Sequence, residues 1–218
     1  MSDAAAVRAI SWQALWQRLG ASGDAANTLA EIERRYAEPG RHYHTLAHLD
    51  ACLDTFEVVR SLCQRPDEAE LALWLHDVIW SPLGTDNEER SAAWAAECCR
   101  AAGLPAELGA RVAALILATR HDAAPLSGDA AVVADVDLAI LGASYEVFDR
   151  YETAIRAEYA SVPDAAFREG RARILRAFLA RPAIFTTPPL HEALELRARE
   201  NLVRSLARLG PAIHPGTP

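Results

Sequence analysis

Apolar and polar positions along the chain form helix-length segments, and no stretch shows the convincing two-residue alternation of a half-buried strand. Ala, Leu, Arg and Glu dominate these segments, and such residues favour helices. Proline and glycine interrupt the pattern, for example at Pro39-Gly40 and Pro188-Pro189, where helices are expected to end or begin. The pattern predicts helices over residues 4–19, 24–38, 44–62, 67–80, 87–102, 105–119, 130–141, 145–160, 164–180 and 189–209. The sequence therefore predicts an all-α fold, a helical bundle.

One predicted helix carries two ionisable residues where the pattern indicates core. In ELALWLHDVIW (70–80), His76 and Asp77 lie in a run that is otherwise almost entirely apolar. Burying an unpaired carboxylate costs several kcal/mol, so buried charges are paired or bind metals. The pair is therefore either a core histidine bonded to a carbonyl beside an aspartate that caps a helix, or two ligands of one cation.

A second segment, RHYHTLAHLD (41–50), places His44 and His48 four residues apart. On a helix these two imidazoles would share one face, a spacing that is also found in zinc sites. The alternative is a solvated helix start that is rich in histidine.

A third segment, VVADVDLAILG (132–142), embeds Asp135 and Asp137 among apolar residues. On a helix the two would diverge by about 200°, so only one can face a given site. The alternative is that one caps the helix and the other is solvated.

Composition narrows the class of protein. A length of 218 residues suits one domain, which is expected over 1–210 with a flexible tail at 211–218. The net charge of −8 disfavours nucleic-acid polymers as partners. No signal-peptide pattern or membrane-spanning stretch is apparent, so a cytoplasmic protein without a membrane partner is expected. The four cysteines are expected to be reduced, to fill core space and to have no chemical role.

These segments together resemble the HD superfamily of metal-dependent phosphohydrolases, and more closely a bacterial group of predicted HD phosphohydrolases. The resemblance rests on RHYHTLAH, LALWLHDVIW, DNEERSA, LILATRH and DVDLAILG in this order, and it covers about residues 30–205. It implies an all-helical domain of the HD type.

The resemblance also implies a ligand set. Its pattern makes His48, His76, Asp77 and Asp137 the metal ligands, with Asp137 preferred because Leu138 follows it, while Asp135 remains the alternative. Such a mixed nitrogen and oxygen set suits one divalent transition metal, Mn, Fe, Zn, Ni or Co, and suits Mg²⁺ less well.

The same resemblance suggests catalytic roles. In related cyclic-nucleotide phosphodiesterases, the first His of a Tyr-His-Asn-x-x-His motif lies beside the leaving oxygen, which makes His44 a candidate general acid. Thr45 stands in place of that motif's Asn, so the support that the Asn would give His44 is missing. Asp77 is expected to orient the nucleophile, with Asp137 as the alternative.

Several other polar residues are weaker candidates for contacts with the substrate or with the ligands. They are His121, Asp86, Glu88, Glu89 and Arg156. For the acidic residues, an ordinary place at a helix N-terminus is an equally good interpretation. For Arg156 the alternative interpretation is an ordinary place on a solvated helix face.

The expected function is hydrolysis of a small phosphorylated metabolite or nucleotide by metal-activated water, in a monomer or homodimer. Two alternatives stay open. A di-iron oxygenase of the HD type would need more histidine ligands than this chain supplies, and a non-catalytic sensor would bind metal or nucleotide without turnover.

Overall fold

The protein is described by a computed structural model that covers residues 3–121 and 126–210. Within these ranges the chain contains ten α-helices and no strand, which confirms the all-α prediction. None of the described helices has the length and apolar character needed to cross a membrane. The helices are α1 (Asp3–Arg18), α2 (Ala25–Tyr36), α3 (Leu46–Val59), α4 (Pro66–Leu75), α5 (Asn87–Ala101), α6 (Ala106–Leu117), α7 (Gly128–Asp137), α8 (Tyr145–Glu158), α9 (Asp164–Leu179) and α10 (Pro188–Leu209).

The predicted helix over 67–80 is wrong at its C-terminal end. Regular α4 stops at Leu75, and a turn follows in which the Val78 N–H bonds the Leu75 carbonyl at 3.2 Å. The Asp77 N–H instead donates to the Tyr36 hydroxyl at 3.3 Å, and this hydroxyl donates to the Trp74 carbonyl at 3.3 Å. Bonds from α2 thus replace the intrahelical ladder, so His76 and Asp77 lie in a turn.

Helices α3, α6 and α7 are shorter than predicted and continue as 3₁₀ turns. For α6 this turn covers Ala118–Arg120. Helix α3 begins at Leu46, after an extended Thr45, and is followed by a 3₁₀ turn over Arg60–Leu62. Helix α7 ends at Asp137 and is followed by a 3₁₀ turn over Leu138–Gly142. His44 therefore precedes α3, and it does not share a helical face with His48.

The described chain divides into two compact units, Met1–Asp137 and Leu138–Pro218. The single domain expected over 1–210 stays a prediction. The expected flexible tail, 211–218, lies outside the described residues.

The core of the first unit is built around α4. This helix contacts α1, α3, α5, α6 and α7, which explains why nearly all of its faces are apolar. Its largest buried side chain, Trp74, is fully enclosed and meets Trp12 of α1 edge-on at 5.2 Å between ring centroids. The apolar surroundings of α4 fix where its C-terminal turn lies.

The second unit consists of α8, α9, α10 and the 3₁₀ turn before α8. The turn approaches α10 so closely that a Cβ at Gly142 would lie 2.6 Å from the Leu194 Cβ, which explains the glycine. Buried Arg171 pairs with Glu152 and donates to the Tyr151 hydroxyl at 2.8 Å. A paired charge therefore contributes to this core, in line with the rule that buried charges need partners.

Candidate metal centre

Three segments of the first unit bring their polar side chains to one place. Helix α3 contributes His48, the turn after α4 contributes His76 and Asp77, and the last residue of α7 contributes Asp137. Both imidazoles are buried, and His76 is only 1% exposed. The four residues that the resemblance implies as ligands therefore meet at one place in the fold.

The donor atoms of these residues converge on a common centre. The His48 and His76 Nε2 atoms lie 3.1 Å apart. Asp77 Oδ2 lies 3.5 Å from His48 Nε2 and 3.1 Å from His76 Nε2, while Asp137 Oδ1 lies 3.2 and 3.5 Å from the same two atoms. Metal–nitrogen and metal–oxygen bonds of about 2.1 Å put neighbouring donors roughly 3.0–3.4 Å apart, depending on the angle at the metal. The spacing is that of donors around one ion.

The tautomer of His76 favours the same interpretation. Its Nδ1–H donates to the Leu73 carbonyl at 2.8 Å, so the neutral ring presents the Nε2 lone pair to the centre. His76 therefore makes the carbonyl bond of a core histidine, and this bond leaves its Nε2 available as a ligand. A shared cation would relieve the contact between the two Nε2 atoms.

The electrostatics of the cluster favour positive charge at its centre. Burial lowers the pKa of His76, but Asp77, Tyr36 and Asp137 together outweigh this effect, and the pKa lies well above its ordinary value. Burial likewise disfavours charge on Asp77, yet His76 and His44 hold the pKa of that carboxyl well below its ordinary value. Without a metal, protons on the imidazoles balance the negative charge of the carboxylates, and a bound divalent ion would replace those protons.

Cys52 also belongs to this cluster, although no chemical role was expected for it from the sequence. A group of described residues, His48, Cys52, His76 and Asp137, offers one ligand atom each within 4.8 Å of one another, and this group could hold a metal ion. Cys52 follows His48 by four residues on α3, which was the signal available in the sequence. Since four cysteines occur, spacing alone did not distinguish this one.

Asp137, rather than Asp135, faces the imidazoles. Asp135 is buried on α7, but it is not a member of the group of described residues that converges on the centre. The second carboxylate oxygen of Asp137 lies 2.9 Å from His121 Nε2. His121 has a left-handed backbone with φ of +57°, which is uncommon for any residue other than glycine. His121 thus contacts a candidate ligand from outside the ligand group.

The predicted catalytic histidine, His44, lies next to the cluster. Its ring stacks on Trp80 at 4.7 Å between centroids, with planes 23° apart, and meets the His48 ring edge-on at 6.0 Å. His44 also helps lower the pKa of Asp77. Trp80, which the apolar run assigned to the core, is only half-buried and supports this ring.

The acidic residues before and within α5 differ from one another. Asp86 is exposed and makes no side-chain cap for the helix. Glu88 is half-buried, and burial together with the nearby Asp77 carboxylate raises its pKa. Glu89 pairs with Arg120 at 2.6 Å. Glu88 is thus the acidic residue of this group whose electrostatics are tied to Asp77.

Arg156 has structural contacts within the second unit. Its guanidinium donates to the carbonyls of Tyr159 at 2.6 Å and Val162 at 3.2 Å, and it lies over the Phe167 ring at 4.7 Å. These contacts close the turn between α8 and α9.

Arg41 was missed by the sequence analysis and connects two of the ligand-bearing segments. Its side chain is only 2% exposed. It donates to the carbonyls of His44 at 3.0 Å, Asp77 at 2.7 Å and Val78 at 3.2 Å. A guanidinium with its five donors can bind several carbonyls at once, so Arg41 holds the turn after α4 against the segment before α3.

Comparisons of the chain with protein-family models, with curated proteins and with solved structures give no match. The resemblance to the HD superfamily therefore stays a prediction, and the function must be argued from the geometry and chemistry of the described residues.

Proposed function

We propose that the protein is a metal-dependent phosphohydrolase that acts on a small phosphorylated metabolite or nucleotide. The observation that carries the proposal is the convergence of four donors: the two imidazole nitrogens lie 3.1 Å apart, and one oxygen of each carboxylate lies 3.1–3.5 Å from both nitrogens. Buried donors of this kind are expected to be compensated by a cation.

The metal would be held by His48, His76, Asp77 and Asp137. Imidazole donors favour Mn²⁺, Fe²⁺, Co²⁺, Ni²⁺ or Zn²⁺ over Mg²⁺. When bound, such an ion supplies a Lewis acid for a phosphoryl oxygen and lowers the pKa of a water ligand.

The remaining chemistry would be done by side chains around the cluster. Asp77 is suited to accept a hydrogen bond from the attacking water and to orient it towards phosphorus. His44, which Trp80 supports on one face, is suited to donate a proton to the leaving oxygen. Arg41 positions both groups, since it bonds the main-chain carbonyls of His44 and Asp77.

The experiment that tests this proposal is a screen of phosphorylated metabolites for phosphate release, with the full chain reconstituted with Mn²⁺, Fe²⁺, Co²⁺, Ni²⁺, Zn²⁺ or Mg²⁺ in turn. His76→Ala should lose bound metal and activity together, while the helical circular dichroism is retained. His191→Ala, which removes a histidine of α10 in the second unit, is the matched control and should retain both.

Three results would overturn the proposal. Activity that survives in metal-free His76→Ala would exclude the metal mechanism. Iron-dependent oxygen uptake without phosphate release would favour the oxygenase alternative. Saturable nucleotide binding without product under every metal would favour a sensor.

A further inference from the structure

The side chain of Tyr36 reaches from the end of α2 to the end of α4. It is only 1% exposed, and its hydroxyl lies between two main-chain groups. The hydroxyl donates to the Trp74 carbonyl and accepts from the Asp77 N–H, both at 3.3 Å. In a continuing helix the Asp77 N–H would bond the Leu73 carbonyl, and the Trp74 carbonyl would accept from Val78. Tyr36 therefore occupies both groups at the point where the helix stops.

The Leu73 carbonyl, which is left without this helical bond, holds the neighbouring candidate ligand. It accepts from His76 Nδ1 at 2.8 Å. The same bond turns the Nε2 atom of His76 towards the centre, where it lies 3.1 Å from His48 Nε2. A carbonyl partner on one ring nitrogen is a usual way in which a histidine ligand is oriented. The bond made by Tyr36 is thus linked, through one carbonyl, to the orientation of His76.

The main chain of Asp77 is held from both sides by residues outside α4. Tyr36 takes its N–H, and Arg41 donates to its carbonyl at 2.7 Å. The two side chains also contact each other, since the Arg41 guanidinium carbon lies 5.3 Å from the centroid of the Tyr36 ring. From this fixed main chain the Asp77 carboxylate extends to the centre, with Oδ2 at 3.1 Å from His76 Nε2.

Filling of the core accounts for the ring of Tyr36 but not for its hydroxyl. Phenylalanine would occupy almost the same volume without a polar atom that needs a partner. A buried hydroxyl costs free energy unless it is hydrogen-bonded, and here both bonds go to the segment that carries two candidate ligands.

We propose that Tyr36 is a positioning residue of the metal centre, whose hydroxyl ends α4 at Leu75 and directs His76 and Asp77 towards one ion. This inference rests on the metal of the proposed function. It assigns Tyr36 no contact with the metal or with the substrate, because the hydroxyl acts through the main chain of the His-Asp turn.

The test compares Tyr36→Phe, which removes the hydroxyl alone, with the wild type by titration of the metal-free full chain with Zn²⁺ and with Co²⁺. We expect the variant to retain its helical circular dichroism, to bind Zn²⁺ about 10-fold more weakly and to show altered visible bands at saturating Co²⁺. These bands report the geometry of the ligands around the ion, so a loss of stability alone does not change them. The matched control is Tyr151→Phe, which removes a hydroxyl that Arg171 bonds in the second unit and should keep the wild-type affinity and spectrum.

The outcomes separate this inference from the proposed function. Wild-type affinity and bands in Tyr36→Phe would overturn the positioning role and leave the phosphohydrolase proposal standing. Metal binding that depends on Tyr36, without phosphate release from any substrate, would support the positioning role and count against the proposed function. A wild type that binds neither metal would overturn both.

A measurement on the wild type keeps the inference testable if Tyr36→Phe does not fold. Although Asp77 lies beyond α4, its amide should exchange slowly with solvent, because the buried Tyr36 hydroxyl holds it. Nuclear magnetic resonance of the Zn²⁺-loaded protein measures this rate. Exchange at the rate of an open loop would overturn the inference.

Discussion

At the scale of single residues, His121 combines a strained backbone with a contact to a candidate ligand. A left-handed conformation costs about 1–2 kcal/mol for a residue with a Cβ. At His121 this conformation accompanies a 2.9 Å contact between Nε2 and Asp137 Oδ2. We infer that His121 orients the Asp137 carboxylate, since outer partners of this kind fix the ligands of metal sites.

Replacement of His121 by Asn should separate these two features. Asn tolerates the left-handed conformation, so His121→Asn should fold, but its shorter side chain loses the contact to Asp137. We expect the affinity for Zn²⁺ to fall about 10-fold or more. Isothermal titration calorimetry measures the affinity, and thermal unfolding of the metal-free variant is the control. Unchanged affinity would remove the orienting role.

Arg41 is the second residue whose role can be tested alone. Arg41→Met keeps a long apolar side chain but leaves the main-chain carbonyls of His44, Asp77 and Val78 without this donor. We expect the free energy of unfolding to fall by about 2–3 kcal/mol, since buried acceptors lose their partner. Urea unfolding measures the loss.

The matched control for Arg41 is Arg173→Met, at an exposed position of α9. This variant should change the free energy of unfolding by less than ~0.5 kcal/mol. Equal effects of the two substitutions would mean that the bonds of Arg41 do not stabilise the turn.

At the scale of elements, α5 holds the loop that follows the His-Asp turn. Ser91 Oγ accepts from the Ile79 N–H and donates to the Ile79 carbonyl, both at 3.1 Å. Asn87 does the same for Ser81, at 3.0 and 2.9 Å. Side chains from the N-terminal part of α5 therefore bond main-chain groups of the loop, which no longer belong to the helical ladder of α4 after Leu75.

Ser91→Ala should weaken this attachment. Ser91 is fully buried, so its loss leaves the Ile79 N–H and carbonyl without the partner they had. We expect the free energy of unfolding to fall by about 1–3 kcal/mol and amide exchange of residues 79–81 to accelerate. Hydrogen exchange followed by mass spectrometry measures the second effect.

Ser61→Ala provides the comparison, because Ser61 is exposed in the 3₁₀ turn after α3. If both variants exchange residues 79–81 at the wild-type rate, α5 does not restrain the loop.

At the scale of the whole molecule, the pH dependence of stability depends on carboxylates that are bonded in the folded state. Glu195 accepts from the main-chain N–H groups of Ile184 and Phe185 at 3.0–3.1 Å, and Arg199 donates to it at 2.7 Å. Burial opposes its ionisation, but these donors outweigh burial and lower its pKa. The stability it contributes is therefore complete above its ordinary value of 4.5 and is lost as the pH falls through the lower folded value.

Glu195→Gln should remove this dependence. At neutral pH we expect a loss of about 1–2 kcal/mol in the free energy of unfolding, because the charge-assisted bonds become neutral ones. The difference from the wild type should shrink as the pH falls below 4.5. Urea unfolding over a pH series measures it, with the exposed Glu192→Gln of the same helix as control. A difference that persists undiminished in acid would contradict the assignment.

Much of the fold follows from the local pattern, whereas the wrong prediction at the end of α4 has a cause far away in the sequence. Helical segments were predictable because Pro and Gly interrupt strong helix formers. The end of α4 was not, because the Tyr36 hydroxyl, 41 residues away, takes the Asp77 N–H that a helix would have used. Such competition between a helical carbonyl and a distant acceptor leaves no mark in the neighbouring sequence.

The all-α character and the segments that carry His48, His76, Asp77 and Asp137 could be predicted from the amino-acid pattern. That these side chains meet, that Asp137 faces the imidazoles, and that Cys52 and Arg41 lie beside them became clear from the folded arrangement. The physical reason is that periodicity defines which face of a helix is apolar, whereas distances between side chains depend on how each helix packs against its neighbours.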